Sequence, residues 1–174
     1  MSKIKAKLLD GSQMSKMLAR LSHEIVEDQK SLDSIAIIGI RTRGEVFAKK
    51  IVENIKGLYK KSVHFGILDV TFYRDDFSKN LGSPKVGPSD ISFDVNNKNI
   101  ILIDDVLYTG RTIRAAMDEL FSFGRPASIK LGVLVDRGHR ELPIRADYIG
   151  KNFPTSNNEH IHVLVDEIDG RDEV

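Results

Sequence analysis

Cysteine and tryptophan are both missing from this 174-residue chain. Without cysteine there is no disulfide framework and no thiolate metal site, which suits a cytosolic setting. Long apolar runs are missing too. The opening MSKIKAKLLDGS lacks the apolar core of a signal peptide, and no segment approaches the roughly 18 apolar residues of a membrane span. The expectation is a soluble, cytoplasmic protein with no membrane partner. Nor is charge of one sign in excess: 26 basic and 25 acidic residues leave a net +1. A surface built throughout to hold nucleic acid is excluded, and any RNA contact must be regional. There is no internal repeat beyond two similar strand–loop–helix units and no low-complexity tract. What is present is 41% hydrophobic residues in a chain long enough to bury about 70% of its unfolded surface. A single domain over residues 1–174 is the expectation.

Along the chain, apolar spacing alternates between two periods. Met14, Met17, Leu18, Leu21 and Ile25 recur at helical spacing over residues 12–29, with Ser12 as a candidate cap. SIAIIGI reads as a buried strand, RTRG as a polar loop, and EVFAKKIVENI as a helix packed on a sheet, which together make half of a βαβ unit. Residues 63–73 read as a further strand. Residues 74–99 carry Pro, Gly, Asn and Ser, with strand-like alternation only in DISFDV, and so suggest a long flexible lid loop. IILI resumes the sheet, an acidic turn follows, IRAAMDELFSF is a helix stopped by Gly124, and SIKLGVLVD is a strand. After the loop RGHRELPIR come a short DYIG and a last strand HIHVLVDE. Strands alternating with helices predict an α/β fold with a mainly parallel central sheet flanked by helices.

The chemistry concentrates in IILIDDVLYTGRT, Ile100 to Thr112. Ligands of open parallel sheets bind beyond the carboxyl ends of the strands, where helix N-termini point. The hydroxyls of Thr109 and Thr112, the backbone near Gly110 and the next helix dipole suit a phosphate. This is neither G-x-x-x-x-G-K-[ST] nor G-x-G-x-x-G, so the triphosphate and dinucleotide fingerprints both fail. Asp104 and Asp105 would repel that phosphate unless something lay between. A ribose satisfies both demands: its 2- and 3-hydroxyls donate to the carboxylates while the 5-phosphate reaches the Thr-rich turn, and Mg²⁺ can bridge to the hydroxyls. The competing account, an acidic turn capping a helix, needs the hydroxyls, the glycine and the strand-end placement to coincide by accident.

ILIDDVLYTGRT resembles the phosphoribosyl-pyrophosphate (PRPP) motif of type I phosphoribosyltransferases. GIRTRG, DVTFYRDD, VLVDRGHRELPIRADYIGKNFPTS and the closing DEIDG resemble, in order and spacing, the PyrR family, pyrimidine-operon regulators that also have uracil phosphoribosyltransferase activity. YRDD together with DRGHRELPIRADY separates this family from purine-base relatives. The resemblance implies the type I phosphoribosyltransferase fold and a site that takes PRPP, uracil and UMP or UTP, with Mg²⁺ as cofactor. Arg41, Thr42 and Arg43 would hold the diphosphate, and Arg74 would close over it from the lid. Asp104 and Asp105 would hold the ribose and, mostly through substrate or water, the metal. Val106, Leu107, Tyr108, Thr109, Gly110, Arg111 and Thr112 would form the rest of the PRPP site, with Arg137 near base and diphosphate and Val106 or Val163 flanking the ring. Asp104, Asp105 and Arg74 are the catalytic candidates; for the general base, Asp105 and solvent both stand.

Lys16, Arg20 and His23 fall opposite the apolar stripe of the first helix and so face outward. In the regulator family, positions matching Arg20, His23, His139, Arg140, Arg145 and Lys151 contact RNA, here the leader of pyrimidine-operon mRNA. A homodimer, with higher association left open, would join two such patches. Against this stands a solvated mixed-charge face, since Glu24 and Glu27 lie close by. Ala19 departs from the Thr common in these regulators and removes one hydroxyl, which either weakens recognition or is tolerated. His160 and His162, alternate residues of the expected last strand, have no evident third metal ligand.

Three other functions compete. One is a hypoxanthine or guanine salvage transferase without RNA binding, and another is an RNA-binding regulator with vestigial catalysis. The third, a phospho-acceptor receiver, should carry its acidic pair after the first strand, whereas here it lies past residue 100.

Overall fold

A computed structural model describes residues 4–29, 31–70 and 88–174. The chain order is α1 (Gly11–Glu27), a 3₁₀ turn (Leu32–Ser34), β1 (Ile35–Ile40), α2 (Arg43–Tyr59), β2 (His64–Leu68), β3 (Asn99–Leu107), α3 (Arg111–Ser122), β4 (Ser128–Asp136), β5 (Tyr148–Asn152) and α4 (Asp166–Asp169). The described strands form one sheet in the order β2-β1-β3-β4-β5, and every pairing is parallel. Ala36 lies opposite His64 on one side and Ile100 on the other, so β1 and β3 run level at the centre.

Both faces of the sheet are covered, which explains strands that read as continuous apolar runs. Odd-numbered residues of β1 and β3 (Ile35, Ile37, Ile101, Ile103) join α1 and α2 in one core, through Met14, Leu18, Leu21, Ile25, Phe47, Ile51 and Ile55. Even-numbered ones (Ala36, Ile38, Ile100, Leu102) meet Ile113, Ala116 and Leu120 of α3 in the other. Period-two alternation in the strands and helical spacing in the helices thus serve the same two layers. Each fully buried Ile or Leu contributes about 1.5–3 kcal/mol, so these faces carry most of the cohesion.

Several sequence expectations need correcting. The cap of α1 is Asp10, not Ser12: its side chain accepts from the Gln13 N–H at 2.8 Å while Gln13 accepts from the Asp10 N–H, a reciprocal capping box. β2 ends at Leu68, and residues 71–73 of the expected strand lie outside the described residues. Among the described residues DISFDV forms no strand and makes one isolated antiparallel bridge, Asp90 to Ile67 on the edge of β2 away from β1. Arg74 and residues up to 87 of the expected lid also lie outside the described residues. HIHVLVDE is not a strand: Leu164 bridges Glu173, and the acidic stretch turns into α4, which Gly170 ends in a left-handed conformation.

Candidate active site

In the order β2-β1-β3-β4-β5, β1 leads outward to β2 while β3 lies on its other side, so connections diverge between β1 and β3. Ligands of doubly wound sheets bind in the crevice at such a switch point. The loop after β1 begins at Arg41, whose N–H still bonds the Leu68 carbonyl at 2.8 Å, and the Arg41–Thr42 peptide is cis. β3 carries the acidic pair into the same crevice. The pair belongs to the strand and not to a turn, as the sequence had suggested: β3 stays in register with β4 as far as Leu107 opposite Asp136. Asp104 is 4% exposed and its Oδ1 accepts the Asp105 N–H at 2.9 Å, while Asp105 Oδ1 accepts the Val106 N–H at 2.8 Å.

The two helices that start at this crevice begin differently from α1. Neither N-cap residue, Thr42 of α2 or Gly110 of α3, makes a side-chain cap hydrogen bond. A chain that builds a full capping box at Asp10 thus starts two helices without one where the acidic pair and hydroxyls meet, and helix N-termini suit anions. Gly110 has φ +95°, a conformation glycine adopts freely. Thr109 is buried, and its Oγ1 accepts the Arg111 N–H at 3.3 Å.

The turn is supported from behind by RGHRELPIR. The N–H groups of Glu141 and Leu142 both donate to the Thr109 carbonyl, at 3.0 and 3.1 Å. Arg140 donates to the Tyr108 carbonyl at 2.9 Å, to Asp136 Oδ2 at 2.6 Å and to the Ile144 carbonyl at 2.8 Å. Arg137 is 4% exposed; its guanidinium lies 4.0 Å from the Tyr108 ring centre and donates to Thr155 Oγ1 and the Glu159 carbonyl. Val106 and Val163 belong to the α1–α2 core, Val163 fully within it.

Of the arginines after β1, Arg41 approaches Glu45 at 3.3 Å, the Pro88 carbonyl at 3.3 Å and Asp69 at 3.6 Å. Arg43 turns away to grip Asp169, with Nη2 at 2.9 and 3.1 Å from the two oxygens. Burial works against the Asp169 charge, but the Val165 N–H and the Arg43 and Arg171 guanidiniums outweigh it and hold the carboxyl below its usual range.

The outward-facing basic residues divide into two groups. Arg20 donates to the Ile149 and Gly150 carbonyls at 3.0 and 2.6 Å and so ties α1 to β5, the strand that carries exposed Lys151. His23 Nδ1 lies 2.7 Å from the Tyr59 hydroxyl. His139 Nε2 meets the Thr155 carbonyl at 2.5 Å, and Arg145 is exposed. Arg140 is an internal clamp as much as a surface cation. No set of three or more His, Cys, Asp or Glu side chains among the described residues forms a metal cage, and His160 and His162 do not lie on a strand.

Sequence reasoning missed two glycines. A Cβ on Gly39 would lie 2.5 Å from the Glu45 Cα, and one on Gly44 would lie 2.4 Å from the Ile103 carbonyl oxygen and 3.1 Å from the Asp104 Cα. The first turn of α2 therefore rests directly on β1 and on the acidic end of β3. IIGI and RTRG placed both glycines next to a loop, a signal for close backbone approach that was available.

Residues 6–168 match the family model described as phosphoribosyl transferase domain. The chain is 53% identical over 167 residues to a bifunctional protein PyrR of Caldicellulosiruptor bescii, covering 96% of this chain and 92% of that one. To the bifunctional protein PyrR of Bacillus cereus it is 53% identical over 173 residues, covering 98% and 96%. Among solved structures it resembles a hypoxanthine-guanine phosphoribosyltransferase from Bacillus anthracis, with TM-score 0.69 and 23% identity over 88% of this chain and 86% of that one. A hypoxanthine phosphoribosyltransferase from Staphylococcus aureus gives TM-score 0.67 at 22% identity, covering 87% and 78%. These two likenesses are to the fold, which is that of type I phosphoribosyltransferases. With half its residues shared with the curated relatives over nearly its full length, this chain belongs to the PyrR family of bifunctional proteins.

Proposed function

We infer that the chain carries out both activities of its family: it converts uracil and PRPP to UMP and diphosphate, and it regulates pyrimidine biosynthetic operons by binding their mRNA in response to uridine nucleotides. The observation that carries the reading is the pair of helix starts, α2 and α3, that lack an N-cap side-chain bond and stand at the Asp104–Asp105 strand end. Two anion seats flanking two ribose-reading carboxylates match the three parts of PRPP. A purine-salvage reading rests only on fold likeness at 23% identity. The reading treats residues 1–174 as one domain and the protein as a cytoplasmic homodimer, able to associate further.

In this account the ring N1 of uracil attacks the anomeric carbon. The N1–C1′ bond forms as the C1′–oxygen bond to diphosphate breaks, and the N1 proton leaves to a base or to solvent. Positive charge builds on the sugar, and negative charge on the leaving group. Asp104 and Asp105 hold the ribose hydroxyls beneath the cationic centre. Thr109, Gly110, Arg111 and Thr112, with the Leu107–Tyr108 backbone, seat the 5-phosphate, and the loop behind them keeps that seat rigid. Arg41, Thr42 and the first N–H groups of α2 receive the diphosphate; the part expected of Arg74 falls outside the described residues. Arg137, Val106 and Val163 border the base. The donor set fits Mg²⁺: two hard carboxylates, one of them buried, without a full protein cage. Asp104 and Asp105 would hold that ion, mostly through substrate or water, and it would supply charge neutralisation for the leaving diphosphate.

Arg20, His23, His139, Arg140, Arg145 and Lys151 form the RNA-facing surface, which a dimer doubles. UMP, as product in the same site, favours the RNA-binding form through its differential affinity for that form. The test pairs two assays: UMP formation from uracil, PRPP and Mg²⁺, and gel shifts of the operon leader with and without UMP. Turnover with hypoxanthine or guanine but not uracil would overturn the base, and leader affinity indifferent to UMP would overturn the regulatory half.

A further inference from the structure

We propose that Arg43 and Asp169 form a positioning pair that sets the diphosphate-binding turn, with Arg43 acting through Asp169 and not by touching the diphosphate itself. This rests on the transferase reading above and assigns a role to the C-terminal DEIDG stretch. Arg43 is the first residue of α2, next to Thr42, so its own N–H belongs to the anion seat while its side chain leaves it. The guanidinium meets the carboxylate through Nη2 at 2.9 and 3.1 Å and through Nε at 3.3 Å. Such a planar fork fixes orientation as well as distance. Asp169 is itself held, since its Oδ2 accepts the Val165 N–H at 2.9 Å.

A second attachment lies two turns along the same edge of α2. Lys50 pairs with Glu167 at 3.1 Å and with Asp172 at 3.6 Å. Residues 165–172 therefore run along α2 as an ionic strap, and the strap is fastened by the Leu164–Glu173 bridge and the Asp10–Glu173 bridge to the start of α1. On the inner side, Gly39 and Gly44 bring the same helical turn into backbone contact with β1 and with Ile103–Asp104. The turn is thus clamped between the sheet and the strap. Its backbone N–H groups can hold an anion in fixed relation to Asp104 only while both sides stay in place, and misplacement by about 1 Å can cost about 100-fold in rate. An arginine already spent on a carboxylate fork would have to break it to reach a diphosphate.

The test is a double-mutant cycle on the full chain: Arg43→Ala, Asp169→Ala and the double variant. The readouts are KM for PRPP, KM for uracil, kcat, inhibition by diphosphate, and thermal unfolding. If the pair acts as one unit, each single variant weakens PRPP and diphosphate by a similar factor, on the order of tenfold, and the double variant is no worse than either single. KM for uracil stays within about twofold. Arg43→Lys, which keeps charge but not the fork, falls between. If a variant does not fold, Asp169→Asn supplies the same readouts with the shape of the side chain kept. An Arg43→Ala defect far exceeding that of Asp169→Ala, with additive losses in the double, would overturn the proposal in favour of direct contact. Reduced thermal stability with an unchanged KM for PRPP would overturn it in favour of a merely structural pair. A wild-type chain that neither converts PRPP nor binds diphosphate would instead sink the transferase reading, and the positioning role with it.

Discussion

Gly44 and Gly57 lie in the same helix, and replacing each by alanine should move stability in opposite directions. In an exposed helix alanine is favoured over glycine by about 0.5–1 kcal/mol. At Gly57 a Cβ meets nothing within 4 Å, so this preference acts alone. Gly57→Ala should stabilise by about 0.5–1 kcal/mol, raising Tm by about 1–4 °C for a chain of this size. At Gly44 the same methyl lies 2.4 Å from the Ile103 carbonyl oxygen and 3.2 Å from its carbon. Neither atom can rotate away, because both belong to the backbone of a central strand paired on both sides. Restoring an ordinary contact requires α2 to lift by about 1 Å, an overpacking cost of about 1–3 kcal/mol that exceeds the propensity gain. Gly44→Ala should therefore lose about 0.5–2 kcal/mol net, and Tm should fall by about 1–8 °C. Because the lifted turn is the diphosphate seat, KM for PRPP should rise in this variant and not in Gly57→Ala. Differential scanning calorimetry with steady-state kinetics on both variants decides it. A Gly44→Ala protein as stable as Gly57→Ala, with wild-type KM for PRPP, would refute the close-contact argument.

Arg140→Ala should cost about 1–3 kcal/mol, since it removes the cation from the 11%-exposed Asp136 carboxylate, leaving it the Gly138 N–H, and removes a donor from two carbonyls, and Arg140→Lys should recover part of this. Urea unfolding beside the RNA gel shift shows whether lost RNA affinity exceeds lost stability. Asp169 titrates lower in the folded chain than in the unfolded one, so its pairing stabilises above about pH 4 and is lost as pH falls through the lower folded value. Between about pH 5 and 2, stability measured by urea unfolding should decline less steeply in Asp169→Asn than in wild type. Asp104→Asn keeps the acceptor for the Asp105 N–H but removes the charge facing the ribose. It should raise KM for PRPP by about 10–100-fold with little change in Tm, as kinetics and thermal unfolding will report.

Much of the architecture was readable because it is local. β4 runs from Ser128 to Asp136 as its apolar run implied, and the stripe Met14, Leu18, Leu21, Ile25 lies buried along α1. The errors share one cause: the fate of a short segment depends on what pairs with it. HIHVLVDE has strand composition, yet among the described residues it makes one bridge, to Glu173, and runs into a helix whose Glu167 and Asp169 meet Lys50 and Arg43. Ser12 and Asp10 are both competent caps, and only the position of Gln13 three residues after Asp10 selects between them. The acidic pair looked like a turn because carboxylates seldom continue a central strand. Continued pairing with β4 keeps it in the sheet.

The chain by itself determined the α/β alternation, the acidic strand end, the Thr-Gly-Arg-Thr turn and the family, since these depend on residue types at short spacing. Tertiary structure alone decided which arginines remain for ligands. Arg43, Arg137 and Arg140 look alike in sequence. The fold gives Arg43 to Asp169, stacks Arg137 on Tyr108, and spends Arg140 on Asp136 and two carbonyls. A guanidinium takes whichever partner the chain brings within about 3 Å, and such partners, up to 126 residues away along the chain, are set by packing and not by spacing.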